Sequence, residues 1–155
     1  MNGKNVLVTG ANGHVGYSLV ELLLERGYNV RASVRNKNDD NLTQHLEKLD
    51  VEIVQVDLME IDTLESAMKN MDGLFQVAAV YKTWAENPEK EIIEPSIVGG
   101  INALKAAKKM GVKKVIFTSS TAAVGKEALD GGALTEEDWN DGSDQPYAYA
   151  KTEAE

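Results

Sequence analysis

Asn5-Val6-Leu7-Val8-Thr9-Gly10-Ala11-Asn12-Gly13-His14-Val15-Gly16 is the stretch that decides the fold. Its first half is a short run of apolar and β-branched residues, which reads as a strand buried on both faces, as in a parallel sheet. Its second half is a turn with glycines spaced G-x-x-G-x-x-G. Beyond it, Val15, Leu19, Leu22 and Leu23 recur at spacings of three and four, predicting an amphipathic helix that Gly27 stops. Strand, glycine turn and helix in that order give each glycine a physical task. Gly10 permits a tight turn, Gly13 lets the backbone approach a pyrophosphate, and Gly16 allows close helix–strand packing. The helix N-terminus adds free N–H groups and a partial positive charge. The spacing is neither G-x-G-x-x-G nor the Lys-bearing P-loop, but the physics is shared. The turn is read as a nucleotide cradle, with Asn12, His14 and Val15 inside it. Capture works through backbone N–H, so the His14 side chain is expected only to tolerate the turn.

The same alternation continues along the chain. Strands are expected at Tyr28–Val34, Val51–Val56, Gly73–Val80 and Val112–Thr118. Helices are expected around Leu42–Leu49, Thr63–Asn70 and Pro88–Met110, the last with Ile93, Ile97, Ile101 and Leu104 on one face. Pro95 should kink that helix or mark its true first turn. A Gly- and acid-rich loop, Leu129–Gln145, precedes a helix opened by Pro146. Apolar strands separated by amphipathic helices imply an α/β fold. With right-handed crossovers this becomes a doubly wound parallel sheet of five strands, order 3-2-1-4-5, with helices on both faces. Ligands of such a sheet bind at the carboxyl ends of its strands.

Composition removes several function classes. The 155 residues hold 16 Lys+Arg and 25 Asp+Glu, a net charge of −9, which argues against a nucleic-acid partner. There are no cysteines, which excludes a disulfide framework, a thiolate metal site and a cysteine nucleophile. His14 and His45 are the only histidines, so no metal site is expected. Apolar runs fall short of a membrane span, and Met1-Asn2-Gly3-Lys4 leads straight into a strand without a signal peptide. The expected compartment is the cytoplasm.

The residues at the strand ends narrow the ligand. Selectivity for NAD usually places Asp or Glu near the end of the second strand, on the ribose 2′-hydroxyl. Here Val30-Arg31-Ala32-Ser33-Val34-Arg35-Asn36-Lys37 has no acid, and Arg35 stands where one would be. A guanidinium grips phosphate bidentately, so NADP(H) is expected over NAD(H), with Lys37 as a helper and Arg31 on one face of the strand. Past the third strand, Asp57 and Leu58 are candidate cofactor-binding residues. Asp57 either accepts a hydrogen bond from the adenine amino group or caps the following helix. Tyr147 and Lys151 lie four apart at the start of the last helix and share a face. An ammonium at that offset favours a phenolate, whereas Tyr149 has Glu153 there, which does the opposite. Tyr147 is therefore the candidate acid/base. Ser119, Ser120 and Thr121 follow the fifth strand, where a hydroxyl either bonds a substrate carbonyl or caps the loop.

With these residues in place the chain resembles the extended short-chain dehydrogenase/reductases, which include NAD-dependent epimerase/dehydratases. Within them it is most similar to the dihydroflavonol 4-reductase-like branch. The resemblance is carried by Thr9–Gly16, Val30–Arg35, Val77-Ala78-Ala79, Val115–Ser120, Tyr147–Lys151 and Pro95-Ser96-Ile97-Val98-Gly99. Epimerases usually have Asn where Ser96 stands. The resemblance implies a Rossmann-like cofactor domain over residues 1–155 and reduction of a small-molecule carbonyl, an aldehyde, ketone or flavonoid-like compound. Tyr147 would protonate the carbonyl oxygen. Lys151 would bind the nicotinamide ribose and Ser120 would orient the substrate oxygen. Ala78 and Ala79 would line the cofactor. Tyr81 and Trp84 follow that edge, where contact with substrate is one reading and burial in packing is the one expected for both. Two rival readings are a dinucleotide-binding module or sensor without catalysis, and an NAD-dependent sugar-nucleotide epimerase/dehydratase, which Arg35 and Ser96 disfavour.

The resemblance also implies about twice this length, with a substrate domain after the last helix. The chain is accordingly expected to be the cofactor half of a reductase, with weak or no turnover by itself. Apolar surface left on the last helix and the sheet edge invites self-association, with a homodimer as its simplest form.

Overall fold

The computed structural model describes residues 3–125, 132–140 and 145–155. Of the loop expected over Leu129–Gln145, residues 129–131 and 141–144 lie outside the described residues. The chain forms two compact units, Met1–Ala79 with Asn102–Thr118, and Val80–Ile101 with Ser119–Glu155.

The first unit holds the sheet. Strands β1 (Asn5–Val8), β2 (Asn29–Val34), β3 (Glu52–Gln55), β4 (Gly73–Gln76) and β5 (Lys114–Phe117) pair in the order β3-β2-β1-β4-β5. Every pairing is parallel, with Val8 opposite Ala32 on one side and Phe75 on the other. The strand order reverses between β1 and β4, which opens a crevice at their carboxyl ends. Strand periodicity sends alternate residues to opposite faces. Val6, Val8, Val30, Ala32 and Val34 pack with Val20 and Leu23 of α1 (His14–Glu25). Leu7 and Leu74 point the other way, onto Leu64 and Ala67 of α3 (Ile61–Ala67) and Ala103, Ala106 and Ala107 of α4 (Glu94–Lys109). Helices thus cover both faces, as expected.

Two helical faces differ from expectation. In α1 the buried residues are Gly16, Val20 and Leu23, while Val15 is 56% exposed and Leu22 44%. The cause lies at the helix start. Gly16 must sit on the glycine turn, and that requirement rotates the helix so that its i, i+4, i+7 row meets the sheet. In α4 the small residues Ala103, Ala106 and Ala107 are buried, and Ile101 and Leu104 are exposed. The alanines let that helix approach Leu7 and Leu74, whose side chains already fill the space.

Several boundaries also shift. The helix expected over Leu42–Leu49 splits into α2 (Asp40–Thr43), capped by Asp39 on the Asn41 N–H, and a 3-10 turn at Leu46–Lys48. Pro95 occupies the first turn of α4, directly after a π-helical turn at Glu89–Ile93. Because Pro has no N–H to donate, the first turn is where it fits.

The second unit contains that π-helical turn, α5 (Thr121–Val124) and α6 (Pro146–Ala154). Ala85, Ile92 and Ala150 form its small core, with Val80, Ile93 and Tyr147 packed around them. Helix α6 packs on α5 and on the π-helical turn, and Pro146 opens it as expected. Among the described residues no helix is long and apolar enough to cross a membrane.

A Cβ on Gly16 would overlap the Gly10 carbonyl oxygen and come within 2.9 Å of Ala11 Cα. Gly111 has φ +72° but open space around it. Gly16→Ala should therefore cost more than about 2 kcal/mol through overpacking. Gly111→Ala should cost about 1 kcal/mol through backbone strain alone. Urea denaturation of both variants checks this; equal losses would contradict the packing account.

Candidate functional site

The glycine turn has the geometry of an anion cradle. Gly10 adopts φ +61°, a conformation that L side chains rarely take, and a Cβ there would lie 2.9 Å from Ala78 Cα. Gly13 is the N-cap of α1, and its N–H donates to the Gly10 carbonyl at 3.0 Å. A Cβ on Gly13 would touch only that carbonyl oxygen, at 3.3 Å, so the outer side of the turn stays open to a ligand. No side chain caps α1, and Asn12, His14 and Val15 are exposed. The first-turn N–H groups therefore point at the place where a phosphate would sit. The Ala11 N–H donates to the Ser33 carbonyl at 2.9 Å, tying the turn to the end of β2.

Arg35 is the first residue past β2, and it is exposed. Its guanidinium makes no hydrogen bond or ion pair with the described residues. Arg31 is spent differently: it pairs with Glu52 at 2.7 Å and donates to the carbonyls of Ala67 at 2.6 Å and Lys69 at 3.2 Å. It closes the C-terminal end of α3 and so belongs to the framework. Lys37 is exposed, and its backbone N–H donates to Gln55 Oε1 at 3.3 Å.

The capping role weighed for Asp57 needs correction. Helix α3 starts at Ile61 with Glu60 as its N-cap. Asp57 Oδ1 instead accepts from the Met59 N–H at 2.9 Å, closing a turn three residues earlier. Its neighbour Leu58 packs on the core below, and the Leu58 carbonyl accepts from Asn102 Nδ2 at 2.9 Å.

In the second unit, Ser120 is the N-cap of α5, and its Oγ accepts from the Ala122 N–H at 3.2 Å. That use leaves its hydroxyl proton able to point outward. Ser119 Oγ donates to the Glu155 carboxylate, and Thr121 is exposed on α5. Ser119, Ser120, Ala123, Trp139 and Glu155 line a cavity of about 360 Å³. Neither Tyr147 nor Lys151 lines it.

On α6, Tyr147 is half-buried beside Ala85, Ile92 and Ala150. Lys151, one turn on, is only 7% exposed. Burial disfavours its charge and holds its pKa below the ordinary lysine value, while the Glu155 carboxylate pulls the other way. Tyr149 faces outward. Tyr81 stands perpendicular to the Tyr147 ring, with centroids 5.5 Å apart. Burial was expected for Tyr81 and Trp84, yet they are 81% and 74% exposed. It is Ala85 that enters the core from this loop, which leaves the two large rings outside.

Sequence reading passed over two residues here. Trp139 borders the cavity, and Gln76 is buried at the end of β4 beside Thr9. The signal for Gln76 was present: a lone amide in the otherwise apolar run Leu74-Phe75-Gln76-Val77-Ala78.

Residues 6–155 match the model of the NAD dependent epimerase/dehydratase family. The chain belongs to that family. Among family relatives, anthocyanidin reductase of Arabidopsis thaliana is 38% identical over 145 residues, spanning 89% of this chain and 43% of that protein. Dihydroflavonol 4-reductase of Dianthus caryophyllus is 36% identical over 143 residues, spanning 89% and 40%. Yeast methylglyoxal/isovaleraldehyde reductase Gre2, solved in complex with NADPH, superposes with a TM-score of 0.81 at 26% identity, covering 97% of this chain and 50% of that one. The chain thus spans half or less of the length of these epimerase/dehydratase-family proteins.

The lowered pKa of Lys151 makes stability depend on pH. Below the lowered native value, Lys151 is charged in both states and its burial opposes folding. From that value up to the ordinary lysine value, the unfolded chain keeps a proton that the folded chain has released. Stability therefore rises with pH through this window. The unfolding free energy of the wild type minus that of Lys151→Met should increase between neutral and alkaline pH in urea denaturation. A flat or falling difference would contradict the burial assignment.

Proposed function

We propose that this chain supplies the cofactor side of an NADP(H)-dependent carbonyl reductase. The observation that carries the reading is Arg35: an unspent guanidinium at the end of β2, where a carboxylate would mark NAD. The glycine turn fits the same dinucleotide. Only glycine fits at positions 10 and 16, and the N–H groups of the first turn of α1 are left to a phosphate. Asn12, Gly13, His14 and Val15 would hold the pyrophosphate through their backbone, and Arg35, helped by Lys37, the 2′-phosphate. Asp57 and Leu58 border the adenine side, and Ala78 and Ala79 line the cofactor.

When bound, the reduced nicotinamide supplies a hydride to the carbonyl carbon. Tyr147 gives its hydroxyl proton to the carbonyl oxygen, so the product is an alcohol, and regains a proton from solvent. Lys151 holds the nicotinamide ribose and keeps a positive charge beside the phenolate left on Tyr147. Ser120 orients the substrate oxygen with the proton its cap bond leaves free. The yeast enzyme's NADPH complex and the plant reductases support reduction as the direction.

Titration of the chain with NADPH and NADH, followed by nicotinamide fluorescence, tests the reading. NADPH should bind at least about tenfold more tightly, as expected for charge-assisted bonds to a phosphate, and Arg35→Ala should erase the difference. Equal affinities that Arg35→Ala leaves unchanged would refute the 2′-phosphate assignment. Tyr147→Phe should leave NADPH affinity within about twofold, since one hydroxyl is lost from an extended contact. Where aldehyde-dependent NADPH oxidation is measured, the same variant should abolish most of it.

A further inference from the structure

We infer that Gln76 is a positioning residue for the nucleotide: it holds Ala78 against the glycine turn in the geometry that binding needs. This rests on the dinucleotide reading above. Gln76 ends β4 and Thr9 follows β1, and both are buried, at 2% and 0% exposure. The Thr9 hydroxyl accepts from the Val77 and Ala78 N–H groups, each at 3.0 Å. It donates to Gln76 Oε1, also at 3.0 Å. Gln76 Nε2 donates in turn to the Ala78 carbonyl at 2.9 Å.

The pattern leaves one solution for the amide. A hydroxyl has one proton and two lone pairs. Both lone pairs of Thr9 are taken by backbone N–H groups, so its proton needs an acceptor, and Gln76 Oε1 is that acceptor. Nε2 is then turned towards the Ala78 carbonyl. Leucine at position 76 would fill the space and leave both the Thr9 proton and the Ala78 carbonyl unmet. Glutamate would accept from Thr9 but set an anion against the Ala78 carbonyl. Either change leaves the partly buried Ala78 carbonyl without its donor, and leucine leaves the buried Thr9 proton unmet as well.

Ala78 matters because of what it touches. A Cβ on Gly10 would lie 2.9 Å from Ala78 Cα and 3.1 Å from Ala78 Cβ. The glycine turn and the segment after β4 are thus in backbone contact, and displacing one displaces the other. Both belong to the candidate cofactor surface. By fixing them before a ligand arrives, the Thr9–Gln76 clamp removes an ordering cost from binding.

The test titrates Gln76→Leu, Gln76→Glu, Thr9→Val and Thr9→Ser with NADPH and with 2′-AMP, which has the 2′-phosphate but neither pyrophosphate nor nicotinamide. Urea denaturation runs alongside. The first three variants should weaken NADPH at least about fivefold, the scale of a lost buried hydrogen bond, and leave 2′-AMP within about twofold. Thr9→Ser, which keeps the hydroxyl, should retain wild-type affinity. Equal weakening of both ligands, or lowered stability with unchanged NADPH affinity, would overturn the inference and leave Gln76 a stability residue. Amide exchange in the unmodified chain gives a readout that needs no variant. The Val77 and Ala78 N–H groups should exchange slowly before NADPH is added, and fast exchange there would also overturn the inference. A wild type that binds neither NADPH nor NADH refutes the dinucleotide reading and this inference with it. Wild-type binding that Gln76→Leu leaves intact refutes the inference alone.

Discussion

The close seating of Gly16 on the Gly10 carbonyl governs the placement of the whole first helix. No side chain can stand between them, so the N-terminus of α1 is pressed onto the turn that leaves β1. The rest of α1 follows from that contact. Val20 and Leu23 fall on the sheet, Val15 and Leu22 fall on solvent, and the first-turn N–H groups stay uncovered. A helix placed by its hydrophobic stripe alone would have turned another face inward. Here the backbone approach wins because an overlap with a carbonyl oxygen cannot relax, while an exposed Val or Leu costs only a small transfer energy.

Around that contact the buried polar groups are assigned with little slack. No buried side-chain nitrogen or oxygen among the described residues lacks a hydrogen-bond partner. Arg31 is engaged by Glu52 and by the carbonyls of Ala67 and Lys69 at the C-terminal end of α3, which ties it to the framework. Arg35, four residues on and past the strand end, is exposed and without such partners among the described residues. Two arginines in one segment thus differ in their partners, because one lies inside the sheet and the other beyond it. Lys151 is a third case. Its burial keeps the ammonium poorly solvated, which makes its proton easier to lose than that of a surface lysine.

Much of this was legible in the residues. The five strands and the glycine turn follow from short β-branched runs and from glycines at a strand–helix junction, while the strand order follows from the Rossmann-like doubly wound fold. The strand and turn signals are local and need no knowledge of tertiary packing. Faces were harder. For α4, the isoleucines and Leu104 form the obvious apolar row, yet Ala103, Ala106 and Ala107 meet the sheet, because the size of the partner across the interface decides which side chain fits. Tyr81 and Trp84 carry large apolar rings but sit on a loop whose fully buried position belongs to Ala85. Asp57 has the composition of a helix cap, and the helix simply starts later. The Thr9–Gln76 clamp joins residues 67 positions apart, and nothing in either local stretch points to the other.

The central claim is that the backbone of the first turn of α1 receives the pyrophosphate of a dinucleotide. Nitrogen–proton correlation spectra of the labelled chain, recorded as NADPH is added, address it most directly. The account predicts that the amides of Gly13, His14, Val15 and Gly16 shift most and saturate together with the ligand. Saturable NADPH binding that leaves those four amides unmoved would contradict it.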